Sequence, residues 1–242
     1  MAYFADRRLS RQLDHCGLAV FDMNGLIVDD EEVQLRSVNQ VLAGFGISIS
    51  EEYWMARCVG SRAGEYFPGI LAERGFNPGS VDVGELVAEK NARYHRLVAS
   101  RAEELARPGV LALIGHLHRD PARGLALATS AGPEEIDSIL GPGGLGLMDR
   151  FSWVVHGGEV AAGKPDPAIY RLVSEKSGVP PDRCLVFEDS GVGAAAAAAA
   201  GMACIAAPNR FTRGQDFTGA RFLVDSLTPE ARVLGIPRRS GT

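Results

Sequence analysis

The 242 residues, 46% of them hydrophobic, suffice for one sizeable core or for a core carrying a smaller insertion. A formal net charge of −5 argues against a dedicated nucleic-acid or membrane-surface binder. No run approaches the ~18–20 uninterrupted apolar residues that span a bilayer, and the opening MAYFADRRLSRQLDHCG lacks the apolar segment of a secretory signal. The four cysteines (Cys16, Cys58, Cys184, Cys204) follow no C-x-x-C or metal-ligand spacing, which predicts buried thiols in a reducing, cytoplasmic setting.

The first element is the run GLAVFD (17–22), short, apolar and without polar alternation, as expected of a strand buried on both faces. From about residue 35 to 105 the pattern turns helical. Val38, Val41, Leu42 and Phe45 keep 3,4 spacing, and Leu86, Lys90, Tyr94, Leu97, Val98 and Leu105 mark a second, longer amphipathic segment. A helix over VLALIGHLHRD then precedes the strand GLALATS (124–130), and WVVHGG (153–158) follows. A helix over PAIYRLVSEKSG leads to CLVFEDS (184–190), and the seven alanines from Ala194 to Ala200 form a helix stopped by Gly201 before MACIAAPN (202–209). The alternation predicts an α/β core with a doubly wound, Rossmann-like parallel sheet made of residues 1–34 and 106–242. Residues 35–105 are expected to form a small helical cap domain inserted after the first strand. That places the cap over the strand's carboxyl end, where open α/β sheets bind ligands.

Four short stretches ask for one site. Asp22 ends the first run, Thr129 and Ser130 end the second, Lys164 sits in GKPDPAIY, and Glu188 and Asp189 follow CLVF. Singly each has an ordinary reading: a loop aspartate, a capping hydroxyl, a surface lysine, an acidic pair. Jointly they fall at carboxyl ends of predicted parallel strands or just beyond. A carboxylate nucleophile, a hydroxyl, an ammonium and an acidic pair suit phosphoryl transfer, in which groups are positioned and charge is neutralised. Such oxygen ligands select Mg²⁺.

In this order FDMNGLIVDDEE, ALATSAG, GKPDPAIY and VFEDSGVGAAAAAAAGM resemble the four motifs of the haloacid dehalogenase superfamily, nearest to its β-phosphoglucomutase-like phosphatases with a helical cap. The resemblance spans residues 17 to 210. It implies that Asp22 attacks phosphorus to form an aspartyl-phosphate, that Thr129 and the Ser130 backbone N–H hold a phosphoryl oxygen, and that Lys164 neutralises charge between them. It further implies a Mg²⁺ shell of Asp22, Asp189, Glu188 and the backbone carbonyl of Asn24. The family's first motif is D-x-D-G, whose second aspartate is the general acid and base, and here that position is Asn24. An amide cannot carry the proton, which is typically worth ~10²–10⁴-fold. The expected protein binds metal and phosphate but turns over slowly. Asn24 is read as an engineered change, as a natural one, or as partly deamidated beside Gly25.

Among weaker signals, Arg62 in CVGSRAGEYF is expected to meet a second anionic group, with a surface arginine as the equal alternative. Gln34 stands where mutase-like relatives often carry histidine. His116 and His118, two apart on a helix, point to different faces and make no metal pair. His156, at the end of SWVVHGG, is a candidate base near the crevice, with an ordinary loop histidine as the favoured reading. The expected partner is a small phosphorylated metabolite, the chain being a monomer or weak homodimer. The alternatives are a β-phosphoglucomutase-type enzyme and a non-catalytic binder of phosphorylated ligands.

Overall fold

The computed structural model describes residues 2–59, 61 and 63–236. The elements in chain order are α1 (Arg7–His15), β1 (Leu18–Phe21), α2 (Glu31–Leu42), α3 (Glu51–Arg57), α4 (Ala63–Glu73), α5 (Val83–Ala99), α6 (Ala102–Leu105) and α7 (Val110–His118). There follow β2 (Gly124–Thr129), α8 (Pro133–Leu140), β3 (Trp153–His156), α9 (Ala168–Ser177), β4 (Cys184–Glu188), α10 (Gly191–Ala199), β5 (Ala203–Ala206), β6 (Phe222–Val224) and β7 (Val233–Gly235). They form one sheet in the order β3-β2-β1-β4-β5-β6-β7, parallel except for β7. None of the described helices is long and apolar enough to cross a membrane.

Strand periodicity explains why the runs lack polar positions. Leu18 and Val20 enter one apolar cluster with Ala126, Ala128, Val186, Tyr170 and Ala194, while Ala19 and Phe21 enter another with Leu125, Leu127, Leu185 and Phe187. Both faces of β1 are therefore buried, as in a sheet covered on two sides by helices. The alanines work by being small: Ala194, Ala196 and Ala197 are buried and let α10 lie close against the strands. Gly201, at φ +80°, takes the left-handed conformation expected of the residue that stops this helix.

A third apolar cluster gathers Val38, Leu42, Trp54, Phe67, Ile70 and Leu86, joined by Phe211 from the segment after β5. It belongs to α2 through α5, and no strand was assigned among the described residues of 35–105. Helix α2 begins at Glu31, ahead of the expected boundary. Two connecting segments link this region to the sheet and pair with each other, Asp29 N donating to Leu105 O (2.8 Å) and Arg107 N to Ile27 O (2.9 Å).

Two features had no sequence signal. The N-terminal segment folds as α1, capped by Asp6, whose carboxylate accepts from Arg8 N (2.8 Å), and it buries Phe4, Leu9 and Leu13 against the core. Strands β6 and β7 extend the sheet by three residues each, too short for periodicity to register.

Candidate active site

The register of the central strands decides which residues meet. Phe21 of β1 lies between Leu127 of β2 and Phe187 of β4, so the following Asp22, Thr129 and Glu188 emerge along one sheet edge. Asp22 N donates to Phe187 O (3.1 Å), holding the loop in line with the strand. Thr129 is buried, and its Oγ1 accepts from Ala131 N (3.1 Å). Ser130 beside it is exposed.

Lys164 reaches into this edge from the loop before α9. Its Nζ donates to Asp22 Oδ1 (2.6 Å), Glu188 Oε1 (2.7 Å) and Ala128 O (3.2 Å), and lies 5.1 Å from the centre of the Tyr170 ring. Burial works against its charge, but the carboxylates of Asp22 and Glu188 outweigh that and hold the ammonium above its ordinary value. The carboxyl of Asp22, 7% exposed, is pushed up to about 7, chiefly by burial, with Lys164 opposing and Glu188 adding to the shift. Asp189 is likewise driven well up by burial and by the charges of Glu188 and Asp22.

Glu188 is fully buried and its oxygens are taken. Oε1 accepts from Lys164 and Tyr170 Oη (2.8 Å), and Oε2 from Asp189 N (3.0 Å), Ser190 N (3.1 Å) and Ser190 Oγ (2.9 Å). This packing needs Gly193, where a Cβ would stand 1.9 Å from Glu188 Oε1. Gly193→Ala is therefore expected to displace the carboxylate and cost about 1–3 kcal/mol. A fall in the denaturant midpoint without a change in slope checks this.

Asp22, Glu188 and Asp189 each offer an oxygen within 4.8 Å of the others. Three buried carboxylates with one ammonium between them leave an excess of negative charge, and oxygen-only donors of this kind fit a hard divalent cation. Glu188 also orients Lys164 and the turn into α10. Asn209, not singled out in the sequence, donates from Nδ2 to Asp189 Oδ2 (2.9 Å). Arg107, also unforeseen, ties the first loop to the loop after β5 by donating to Gly25 O (2.9 Å) and Pro208 O (3.1 Å).

Asn24 stands in a second polar group. Its Nδ2 lies 2.9 Å from Asp30 Oδ2, 2.8 Å from Glu135 Oε1 and 3.2 Å from Tyr94 Oη. Asp30 precedes α2 but does not cap it; its carboxylate turns back to accept from Gly25 N (3.3 Å), Gln34 Nε2 (3.1 Å) and Tyr94 Oη (2.6 Å). The spacing of the acidic run at 29–32 carries no hint of this contact. Gly25, at φ +76°, donates its N–H to Val28 O (2.7 Å), and a Cβ there would stand 2.2 Å from Asp189 Oδ2. The backbone nitrogen that would attack the Asn24 side chain in deamidation is thus engaged in a hydrogen bond.

His156 accepts from Gly158 N at Nδ1 (3.2 Å) and its backbone N–H donates to Glu159 Oε1 (3.0 Å), so the residue serves its own turn. His116 and His118 belong to no cluster of metal-ligating side chains among the described residues. Arg62 lies outside the described residues.

The sequence pattern of the haloacid dehalogenase-like hydrolases matches residues 17–201. The chain is 31% identical over 224 residues to protein CbbY of Rhodobacter capsulatus, covering 88% of this chain and 94% of that one. It is 32% identical over 185 residues to the phosphorylated carbohydrates phosphatase of Thermotoga maritima, covering 76% and 81%. Among solved structures, a CbbY variant from Rhodobacter sphaeroides in complex with xylulose-(1,5)bisphosphate superposes with a TM-score of 0.79 at 29% identity, covering 88% of this chain and 95% of that chain. On the sheet order, the matched span and these relatives, the chain belongs to the haloacid dehalogenase-like hydrolases and is an enzyme of that family.

Proposed function

We propose that the chain is a Mg²⁺-dependent phosphatase acting through an aspartyl-phosphate on Asp22, with a small phosphorylated metabolite such as a sugar phosphate as substrate. The observation that carries this reading is the buried contact of Asp22 with Lys164, beside a carboxylate pair and at the end of a parallel strand. Relatives whose names include a carbohydrate phosphatase, and a neighbour holding a sugar bisphosphate, support the substrate class.

In this reading an Asp22 oxygen attacks phosphorus and the substrate's alkoxide leaves, after which water displaces Asp22 and releases inorganic phosphate. Lys164 favours the ionised form of Asp22 and offsets charge on the phosphoryl oxygens, while Thr129 Oγ1 and the Ser130 backbone N–H hold one of them. Bound Mg²⁺, ligated by Asp22, Asp189 and the Asn24 backbone carbonyl, with Glu188 supporting them, would neutralise phosphoryl charge. The helices of 35–105 act as a cap that closes over the site, excludes water and selects the substrate. Asn24 cannot protonate the departing alkoxide, so turnover is slow.

Mg²⁺-dependent phosphate release from a panel of sugar phosphates tests this, comparing the native chain with Asn24→Asp after mass spectrometry has verified residue 24. Asn24→Asp is expected to raise the rate ~10²-fold or more. Inactivity of both forms on every substrate would overturn the enzyme mechanism in favour of a binder of phosphorylated ligands.

A further inference from the structure

We propose that Asn24 keeps a catalytic task of its own: its side-chain oxygen Oδ1 positions the water that attacks phosphorylated Asp22, and Glu135 and Asp30 set the amide's orientation. The proposal rests on the aspartyl-phosphate reading above.

The argument begins with which end of the amide faces where. Carboxylates only accept hydrogen bonds, and an amide NH₂ has two hydrogens to give. Asp30 Oδ2 and Glu135 Oε1 are the two carboxylate oxygens within 2.9 Å of Nδ2. The Tyr94 hydroxyl gives its own proton to Asp30. The NH₂ must therefore face Asp30 and Glu135, which fixes Oδ1 on the other side. Oδ1 has no hydrogen-bond partner among the described residues, and Asn24 is half-buried, so the oxygen is an acceptor left open to a water molecule.

Position supports the role. Met23 is wholly buried in the core, and Asp22 and Asn24 flank it just past the end of β1. The anchors are themselves held. Asp30 is buried and accepts from Gly25, Gln34 and Tyr94, while Glu135 stands in the first turn of α8, the helix that follows Thr129 and Ser130. Glu135 thus acts through Asn24 and is a positioning residue.

The step balances without a side-chain base. Water donates one hydrogen bond to Oδ1, its oxygen bonds to phosphorus, and the bond between phosphorus and the Asp22 oxygen breaks. The carboxylate is regenerated, and one water proton passes to a phosphoryl oxygen of the departing inorganic phosphate. Orienting water with an amide oxygen recovers part of the catalysis that a carboxyl at residue 24 would supply.

p-Nitrophenyl phosphate isolates this half of the reaction, because nitrophenolate leaves without needing a proton. With the full chain and Mg²⁺, Asn24→Ala is expected to keep the initial burst of nitrophenolate but lower steady-state kcat ~10-fold, with KM little changed. Glu135→Leu should lower kcat in the same way. Glu135→Gln, whose Oε1 still accepts from Asn24, should restore most of it. In an Asn24→Asp background Glu135→Leu should not slow turnover, since a carboxylate at 24 has no N–H to anchor and is repelled by Glu135. Native turnover in Asn24→Ala would overturn the proposal. So would an equal loss from Glu135→Leu in both backgrounds, which would mark Glu135 as merely structural. Absence of nitrophenolate from both the native chain and Asn24→Asp would instead mean that the phosphatase reading itself has failed.

Discussion

Replacing Asp22 by asparagine is expected to abolish phosphate release, by ~10⁴-fold or more, while leaving the metal-free fold at least as stable as the native one. The first part follows from nucleophilic displacement, for which an amide at position 22 has no substitute. The second follows from electrostatics. Burial pushes the Asp22 carboxyl up to about 7 even with Lys164 in contact, so its ionised form is held against desolvation. Asparagine keeps the shape and can still accept from Lys164, which retains Glu188 as its counter-charge. One fewer buried charge remains among three carboxylates. Thermal unfolding without metal should therefore give an equal or higher Tm for Asp22→Asn. Saturating Mg²⁺ should then raise the native Tm more than that of the variant, because a ligand bound only to the folded state stabilises by ~2.7 kcal/mol at a hundred times its Kd. A variant that loses Tm in metal-free buffer would show that the carboxylate is needed for folding, contrary to this account. This is a stability–function conflict: the group that does the chemistry is one the fold would be easier without.

Lys164→Met should have the opposite sign on stability and an equally severe effect on activity. The ammonium separates Asp22 and Glu188 at 2.6 and 2.7 Å, and both partners are nearly or fully buried. Removing one member of such a network leaves uncompensated charge, a change that typically costs ~3–5 kcal/mol. For a chain of this length that corresponds to a Tm lower by roughly 6–20 °C. Part of the loss should return in the double variant Lys164→Met with Asp22→Asn, since one of the stranded carboxylates is then gone. The two substitutions share a partner and are not expected to add. A Lys164→Met protein that unfolds at the native temperature would refute the buried-pair argument.

What could be read in the sequence followed from short-range rules. The apolar runs at 17–22, 124–130, 153–158, 184–190 and 202–209 became β1 to β5, and β1 and β4 at the sheet's centre are buried along their whole length because both faces are covered. Asp22, Thr129, Glu188 and Asp189 could be grouped in the sequence because parallel strands in one sheet bring their carboxyl ends to one edge, and Lys164 falls in a loop beyond one. Family membership rests on those same stretches, and the matched span 17–201 covers them all. The helix α1 and the strands β6 and β7 were not legible, since a nine-residue polar helix and three-residue strands have too little periodicity to stand out.

Asn24 divides the two kinds of information most clearly. That residue 24 lacks the family's carboxyl group is plain in FDMNGLIVDDEE, because it is a matter of covalent chemistry alone. That its amide lies between Asp30 and Glu135, 111 residues from the latter, depended on how α2, α5 and α8 pack around the first loop. The same holds for Glu188, whose oxygens accept from five donors that its place in the sequence does not reveal. Sequence alone determined which groups are present and that they follow the carboxyl ends of strands, because strand periodicity is a local property. Tertiary structure decided which lone pairs and N–H groups remain free, because hydrogen-bond partners are set by approach in space and not by spacing along the chain.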